Sequence, residues 1–345
     1  MISRRSAIAG FCVAATWRMP VLASGRNGVR KPPRLREGDT VGLVAPAMFS
    51  DDAGEVEKIK RTISDIGLNP KVSENVTSRY GYLAGTDQQR AKALNAMYAD
   101  KSVRAVFAVH GGWGSARILP LLDWSLIRAN PKLLIGSSDI TALHLAIAAR
   151  ANFPTIHGPN SFYSWQELSL DSLRQIAFDG GTPTFTSPYV NQNEATAPDR
   201  WRVTTIRKGK ASGKLLGGNL SVLAALVGTP WLPDFDGAIL FLEEAGEAEY
   251  RIDRMMTQLG QAGILGRVAG VVFGQCTRCT TDIPGYAGFT IPEVLRQYLE
   301  PLGVPAFSGA NIGHVANQFC LPVGVRVEID AHAGSIRMLE PAVAI

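Results

Sequence analysis

The 345-residue chain lacks several features that would each assign it to a class. Cysteine is scarce, with Cys12 near the start and Cys276, Cys279 and Cys320 far downstream. Cys276-Thr-Arg-Cys279 is a lone C-x-x-C, with no second pair and no H-x-x-x-H to complete a zinc site. In an oxidising compartment that pair could close a small disulfide, with Cys320 as an alternative partner; otherwise these are ordinary core and loop residues. No G-K-[ST] follows a glycine loop, which excludes a P-loop. Lys and Arg form no long run. The formal charge of +5 falls to +2, 32 against 30, once the three arginines of the first 23 residues are set aside, so no nucleic-acid track is indicated. No stretch reaches about 18 uninterrupted apolar residues, so no integral membrane segment is expected in the mature chain. With 46% apolar and 19% charged residues, disorder and collagen-like repeats are excluded.

What is present begins with an address. Residues 1–23 pair Arg4 and Arg5 with a short, weakly apolar run from Ala7 to Thr16, and end in Val21-Leu22-Ala23. This reads as a signal peptide of twin-arginine type, which predicts a periplasmic protein. Phe11 before Cys12 argues against a lipoprotein signal. The alternative is a frayed basic tail on a cytoplasmic protein.

The length suits two domains. From residue 40 short apolar strands alternate with helical patterns: TVGLVAP (40–46), 53–66, a capping box at Thr86-x-x-Gln89, Val103 to Val109, Ser115 to Leu122, Leu133 to Ile135 and Ile140 to Arg150. Alternation of this kind predicts an α/β domain over 35–165, built on a parallel sheet with ligands at the carboxyl ends of its strands. Residues 166–210, rich in Gly, Pro, Thr and Asn over 180–200, read as a linker or irregular excursion. Periodicity resumes over 211–345, a smaller α/β domain that ends in a hairpin around Gly334.

Two loops can carry chemistry. Gly111-Gly112-Trp113-Gly114-Ser115 turns a strand into a helix through glycines, whose backbone permits close approach and unusual dihedrals. Such a turn can raise a nucleophilic serine, cradle an anion, or do neither. A serine needs a base. His144 lies inside a helical run and reads as a satisfied core residue, and His332 sits in the terminal hairpin. Spacing alone does not choose among His110, His157 and His314. For the orienting acid, Glu243 and Glu244 end an apolar strand, where adjacent side chains face opposite ways. Glu247 is the next candidate.

In order along the chain, GDTVGLVAPA (38–47), GYLAGTDQQRAKALNAMYAD (81–100), GGWGSARILP (111–120), GSSDITALHLAI (136–147), HGPN (157–160), GGNLSVLAALVGTPW (217–231) and FLEEAGEAEYRIDRMMTQL (241–259) resemble the LD-carboxypeptidases. These are the serine peptidases of the murein tetrapeptide carboxypeptidase family. The resemblance covers 38–339 and implies a flavodoxin-like N-terminal domain, a smaller C-terminal α/β domain and an active site between them. It implies a Ser-Glu-His triad in that order, carried over to Ser115, Glu243 and His314, with Gly112 and Ala116 as oxyanion donors. Trp113 and Asn219 are the candidate substrate contacts. No metal or organic cofactor is implied. The implied reaction releases terminal D-alanine from a murein tetrapeptide or muropeptide, and relatives point to a homodimer. A microcin-type immunity peptidase acting on peptidyl-adenylates is the alternative within the family, and a non-catalytic periplasmic binding protein is the alternative outside it. Ser137 departs from the pattern, since an aromatic usually precedes the Ser-Asp pair there, and the loop around His314 matches loosely.

Overall fold

The computed structural model describes residues 30–163, 165–187, 202–281 and 285–345. The export signal read at 1–23 lies outside these residues, as does most of 180–200.

The first half is built from β1 (Thr40–Val44), α1 (Ala53–Asp65), β2 (Asn69–Val72), α2 (Asp87–Ala99), β3 (Val103–Ala108), α3 (Ser115–Ile118), α4 (Trp124–Ala129), β4 (Leu133–Gly136), α5 (Thr141–Arg150) and β5 (Thr155–His157). Strands β1, β3, β4 and β5 are almost wholly buried, as their continuous apolar spelling requires of a sheet covered on both faces. Strand β2 carries Pro70 and is half exposed at the edge, where a missing N–H costs no ladder bond. The α2 capping box forms in full: Thr86 N–H donates to Gln89 Oε1 at 2.8 Å, and Gln89 N–H to Thr86 Oγ1 at 3.3 Å. The helix expected from Ser115 to Leu122 lasts only to Ile118, then tightens into a 3₁₀ turn containing Pro120. Proline cannot supply the N–H that a longer helix would need there.

The second half comprises α6 (Glu167–Leu173), β6 (Thr184–Thr186), β7 (Thr204–Arg207), β8 (Lys210–Asn219), α7 (Leu220–Leu226), β9 (Ile239–Ala245), α8 (Glu249–Gln261), β10 (Gly270–Thr277), α9 (Ile291–Leu299), β11 (Ala306–Ser308), β12 (Leu321–Val323), β13 (Arg326–Asp330) and β14 (Ser335–Met338). An eight-stranded sheet runs β6-β14-β13-β8-β9-β10-β11-β7, parallel from β8 through β11 and antiparallel at both flanks. The stretch 166–210 is therefore not merely a linker, for it supplies α6 and both edge strands of this sheet. The terminal hairpin β13–β14 turns through Gly334 at φ 59°.

One strand crosses the boundary drawn at 211. Strand β12 leaves the second half and pairs antiparallel with β5, giving the first sheet the order β12-β5-β4-β3-β1-β2. All three of its residues are buried, and it covers an edge that would otherwise be open. The halves also meet where β8 ends. A Cβ on Gly218 would fall 2.4 Å from Thr141 Oγ1, and that oxygen accepts the Asn219 N–H at 2.9 Å. Glycine is thus required for the start of α5 to lie against the end of β8. Among the described residues no helix is long and apolar enough to cross a membrane.

Candidate active site

Strand β9 is parallel to β8 and β10, and its carboxyl end presents Glu243 and Glu244 to opposite sides. Both are buried. Glu244 is occupied by structure: its carboxylate accepts Asn219 Nδ2 at 2.9 Å, Ser221 N–H at 2.7 Å and its neighbour Ala245 N–H at 2.8 Å. It thereby holds the start of α7 against β9. Glu243 instead accepts from His314 Nδ1 at 2.8 Å. The loop carrying His314 can come this close because Gly313 precedes it at φ 113°, and a Cβ there would meet Glu243 Oε2 at 2.8 Å. The extended end of β10 fixes the same loop. Gln275 N–H donates to Ile312 O at 2.9 Å, and Thr277 Oγ1 to His314 O at 3.1 Å.

With Nδ1–H given to Glu243, the Nε2 lone pair of His314 is left for the cavity it lines. Burial pulls the imidazole down, but the hydrogen bond and charge of Glu243, with Glu244 adding to them, outweigh burial and the opposing Arg278 guanidinium. His314 therefore titrates above the ordinary imidazole range. The other histidines are arranged differently. His144 bonds Thr155 Oγ1 and Gly136 O, each at 2.9 Å, and burial takes it down to about 3. His157 is fully buried edge-on to Phe241, also at about 3 because of burial. His110 packs on Phe162 with Glu55 3.5 Å away, and burial holds it below the usual range.

A cavity of about 530 Å³ is lined by Met48, Gly111, Gly112, Ser138, Tyr163 and His314, among others. Ser138 follows β4 and opens the turn leading into α5. Its φ is 63°, a left-handed conformation that a residue with a Cβ seldom adopts, and its side chain is partly exposed. A Cβ on Gly111 would lie 2.8 Å from Ser138 Cβ, so the glycine loop passes directly over this serine. A strained residue between a strand and a helical turn, lifted above the sheet end, is the geometry of a nucleophile elbow.

Ser115, the serine taken from the glycine run, does not line this cavity. It is fully buried, its Oγ donating to Asp139 O at 2.5 Å and its N–H to Asp139 Oδ2 at 2.7 Å. It pins α3 to the turn behind Ser138, so of the two serines it is Ser138 that lines the cavity with His314. The sequence did carry a signal for it, in the Ser-Asp pair one residue beyond the apolar strand LLIG. Gly112 lines the cavity, whereas Ala116, a residue of α3, does not. Trp113 is 53% exposed, edge-on to Tyr82 and outside the lining. Asn219 is buried, its side chain capping α7 through Val222 N–H at 3.2 Å and donating to Glu244, and it is not among the residues lining the cavity. Cys276 and Cys279 are joined as a disulfide, while Cys320 is buried and free.

A strained serine over a parallel sheet and a histidine held by a buried carboxylate share one cavity, the constellation of a hydrolase that works through a covalent intermediate. The model of the LD-carboxypeptidase N-terminal domain matches residues 41–158, and that of the C-terminal domain matches 212–329. The chain belongs to the LD-carboxypeptidase family. It is 35% identical over 273 residues to a probable murein peptide carboxypeptidase of Bacillus subtilis, covering 79% of this chain and 83% of that one. It is 36% identical to a putative carboxypeptidase of Streptomyces coelicolor, over 91% and 97% of the two chains. Among solved structures, muramoyltetrapeptide carboxypeptidase from Oxalobacter formigenes superposes with a TM-score of 0.74 at 25% identity, covering 88% of this chain and 99% of that one. The microcin C7 self-immunity protein MccF bound to glutamyl sulfamoyl guanosine reaches 0.79 at 23% identity, over 91% and 99%, a likeness of fold.

Proposed function

We propose that this chain is a serine-type LD-carboxypeptidase that removes terminal D-alanine from murein tetrapeptides. The observation that carries the reading is the elbow serine, Ser138, sharing a cavity with a histidine whose Nδ1 is held by buried Glu243. Ser138 Oγ attacks the carbonyl of the amide between the L-centre and D-alanine. His314 Nε2 takes the hydroxyl proton, and Glu243 stabilises the imidazolium that forms. The developing oxyanion is met by N–H groups of Asp139, the residue after the nucleophile, and Gly112 of the covering loop. His314 then returns the proton to the departing amine, leaving an acyl-enzyme that water hydrolyses by the same steps in reverse.

Incubating the mature protein with a muropeptide digest should convert tetrapeptides to tripeptides, a loss of one alanine read by mass spectrometry. Tetrapeptides left intact while an aminoacyl sulfamoyl adenosine is cleaved would replace this reading with the immunity-type activity that the name of one relative, the microcin C7 self-immunity protein MccF of Escherichia coli, indicates.

The paired arginines and the small residues at 21 and 23 support export of the folded enzyme, so the substrate we propose is periplasmic wall peptide. Replacing Arg4 and Arg5 together by lysine should hold a precursor in the cell, longer than the mature form by about 23 residues. A wild-type protein found full-length in the cytoplasm would overturn export.

A further inference from the structure

We propose that Arg278 is the specificity residue that docks a free carboxylate of the substrate, and that the Cys276–Cys279 disulfide holds it in place for that task. The proposal rests on the carboxypeptidase reading and adds to it the group that recognises the acid end.

Four observations converge. Arg278 lines the cavity that contains Ser138 and His314, and also the adjoining cavity of about 920 Å³ beside it. Among the described residues no Asp or Glu lines the cavity around Ser138; its ionisable lining is Arg278, His110, His314 and Tyr163. The guanidinium has no ion-pair partner among the described residues. Finally, the backbone presenting it is built for the purpose. Arg278 sits at φ 56° inside the four-residue ring closed by Cys276 and Cys279. Cys276 is still in register with Glu244 on β9, and Cys279 is buried, so the ring is anchored to the sheet at one end and to the interior at the other.

The disulfide ring and the left-handed φ fix the backbone from which the exposed Arg278 side chain springs, so less ordering is left to the binding step. An arginine fork suits a carboxylate, with two parallel N–H donors for two oxygens. The two residues flanking the scissile amide offer two such groups, the α-carboxylate of the leaving D-alanine and the side-chain carboxylate of diaminopimelate. Both stand close enough to the scissile amide for a residue on the wall of this cavity to reach.

The test compares three peptides: the tetrapeptide acid, its C-terminal carboxamide, and the form with lysine in place of diaminopimelate. Arg278→Ala should raise KM for the acid roughly 10- to 100-fold, the effect of losing a charge-assisted hydrogen bond, while kcat changes little. Against whichever analogue lacks the docked carboxylate, the variant and wild type should differ less than about threefold; the carboxamide identifies the terminal group, the lysine form the side chain. Reduction, or Cys276→Ser with Cys279→Ser, should raise KM for the acid in wild type and add nothing in Arg278→Ala. Equal losses on all three peptides would overturn the assignment, and an unchanged KM after reduction would overturn the role of the disulfide. Should wild type turn over none of the peptides, the catalytic reading fails by itself. Carboxylate docking is then read by calorimetry on Ser138→Ala, whose preference for the acid over at least one analogue must vanish when Arg278→Ala is added. No preference, or one that survives, refutes it.

Discussion

Ser138→Ala should give a folded protein whose turnover falls by roughly four to six orders of magnitude, the loss seen when the nucleophile of a serine triad is removed. Ser115→Ala should keep turnover within about tenfold and lose about 1 kcal/mol of stability, the net value of one buried hydrogen bond. The contrast follows from position. Ser138 is partly exposed in the cavity beneath Gly111, whereas the Ser115 hydroxyl is spent on Asp139 O. Steady-state kinetics with a denaturation curve for each variant decides the matter. A Ser115→Ala enzyme that is folded but inactive, beside an active Ser138→Ala, would reverse the assignment.

Glu243→Ala should cost about four orders of magnitude in turnover, by leaving His314 without the partner that sets its tautomer. Glu244→Ala should act on folding instead. It strips the acceptor from three donors at the start of α7 and the end of β9, of which the buried Asn219 amide alone costs about 1–3 kcal/mol when unpaired and the two part-buried N–H groups less. Denaturation midpoints should therefore fall for Glu244→Ala, with turnover per folded molecule largely retained. Glu243→Gln adds a pH signature. His314 acts as a base only when neutral, so kcat/KM rises as pH passes its pKa. Glu243 and Glu244 hold that pKa above the ordinary imidazole value despite burial, and the acidic limb should sit correspondingly high. Without the Glu243 charge the limb should move to lower pH. A limb that stays put would separate the titration from this pair.

Much of the fold was legible because its signals are local. The capping box at Thr86, the continuous apolar strands and the glycine turn of the last hairpin each announce themselves within a few residues. The acid and base could be narrowed to a few positions on strand ends and polar loops, since parallel sheets put their chemistry there. What escaped was non-local or conformational. The glycine run drew attention to Ser115, but those glycines serve a serine 23 positions on, by passing over it without a side chain. The left-handed backbone of Ser138 has no spelling of its own when the residue is not glycine. Asn219 and Trp113 looked available because sequence does not show whether an amide is already engaged as a helix cap or which way an indole leans. Strand β12 is three residues long, too short for a period to register, and its partner β5 lies more than 160 positions earlier.

That short strand bears on how such enzymes can be recombined. The segment carrying His314 leaves the second sheet at β11 and enters the first at β12, and beyond it Ala344 bridges back to Pro33. The first unit is thus closed by chain from near the C-terminus, and the base rides on a bridge spanning both. A chimera spliced at a single junction, with one relative's front half fused to another's back half, would set a foreign strand against β5 and a foreign anchor beneath His314. Exchange between relatives would need at least two crossovers, the second placed so that Leu321–Val323 travel with the sheet they complete. Single-junction hybrids should therefore lose the alignment of base and nucleophile even where each half still folds.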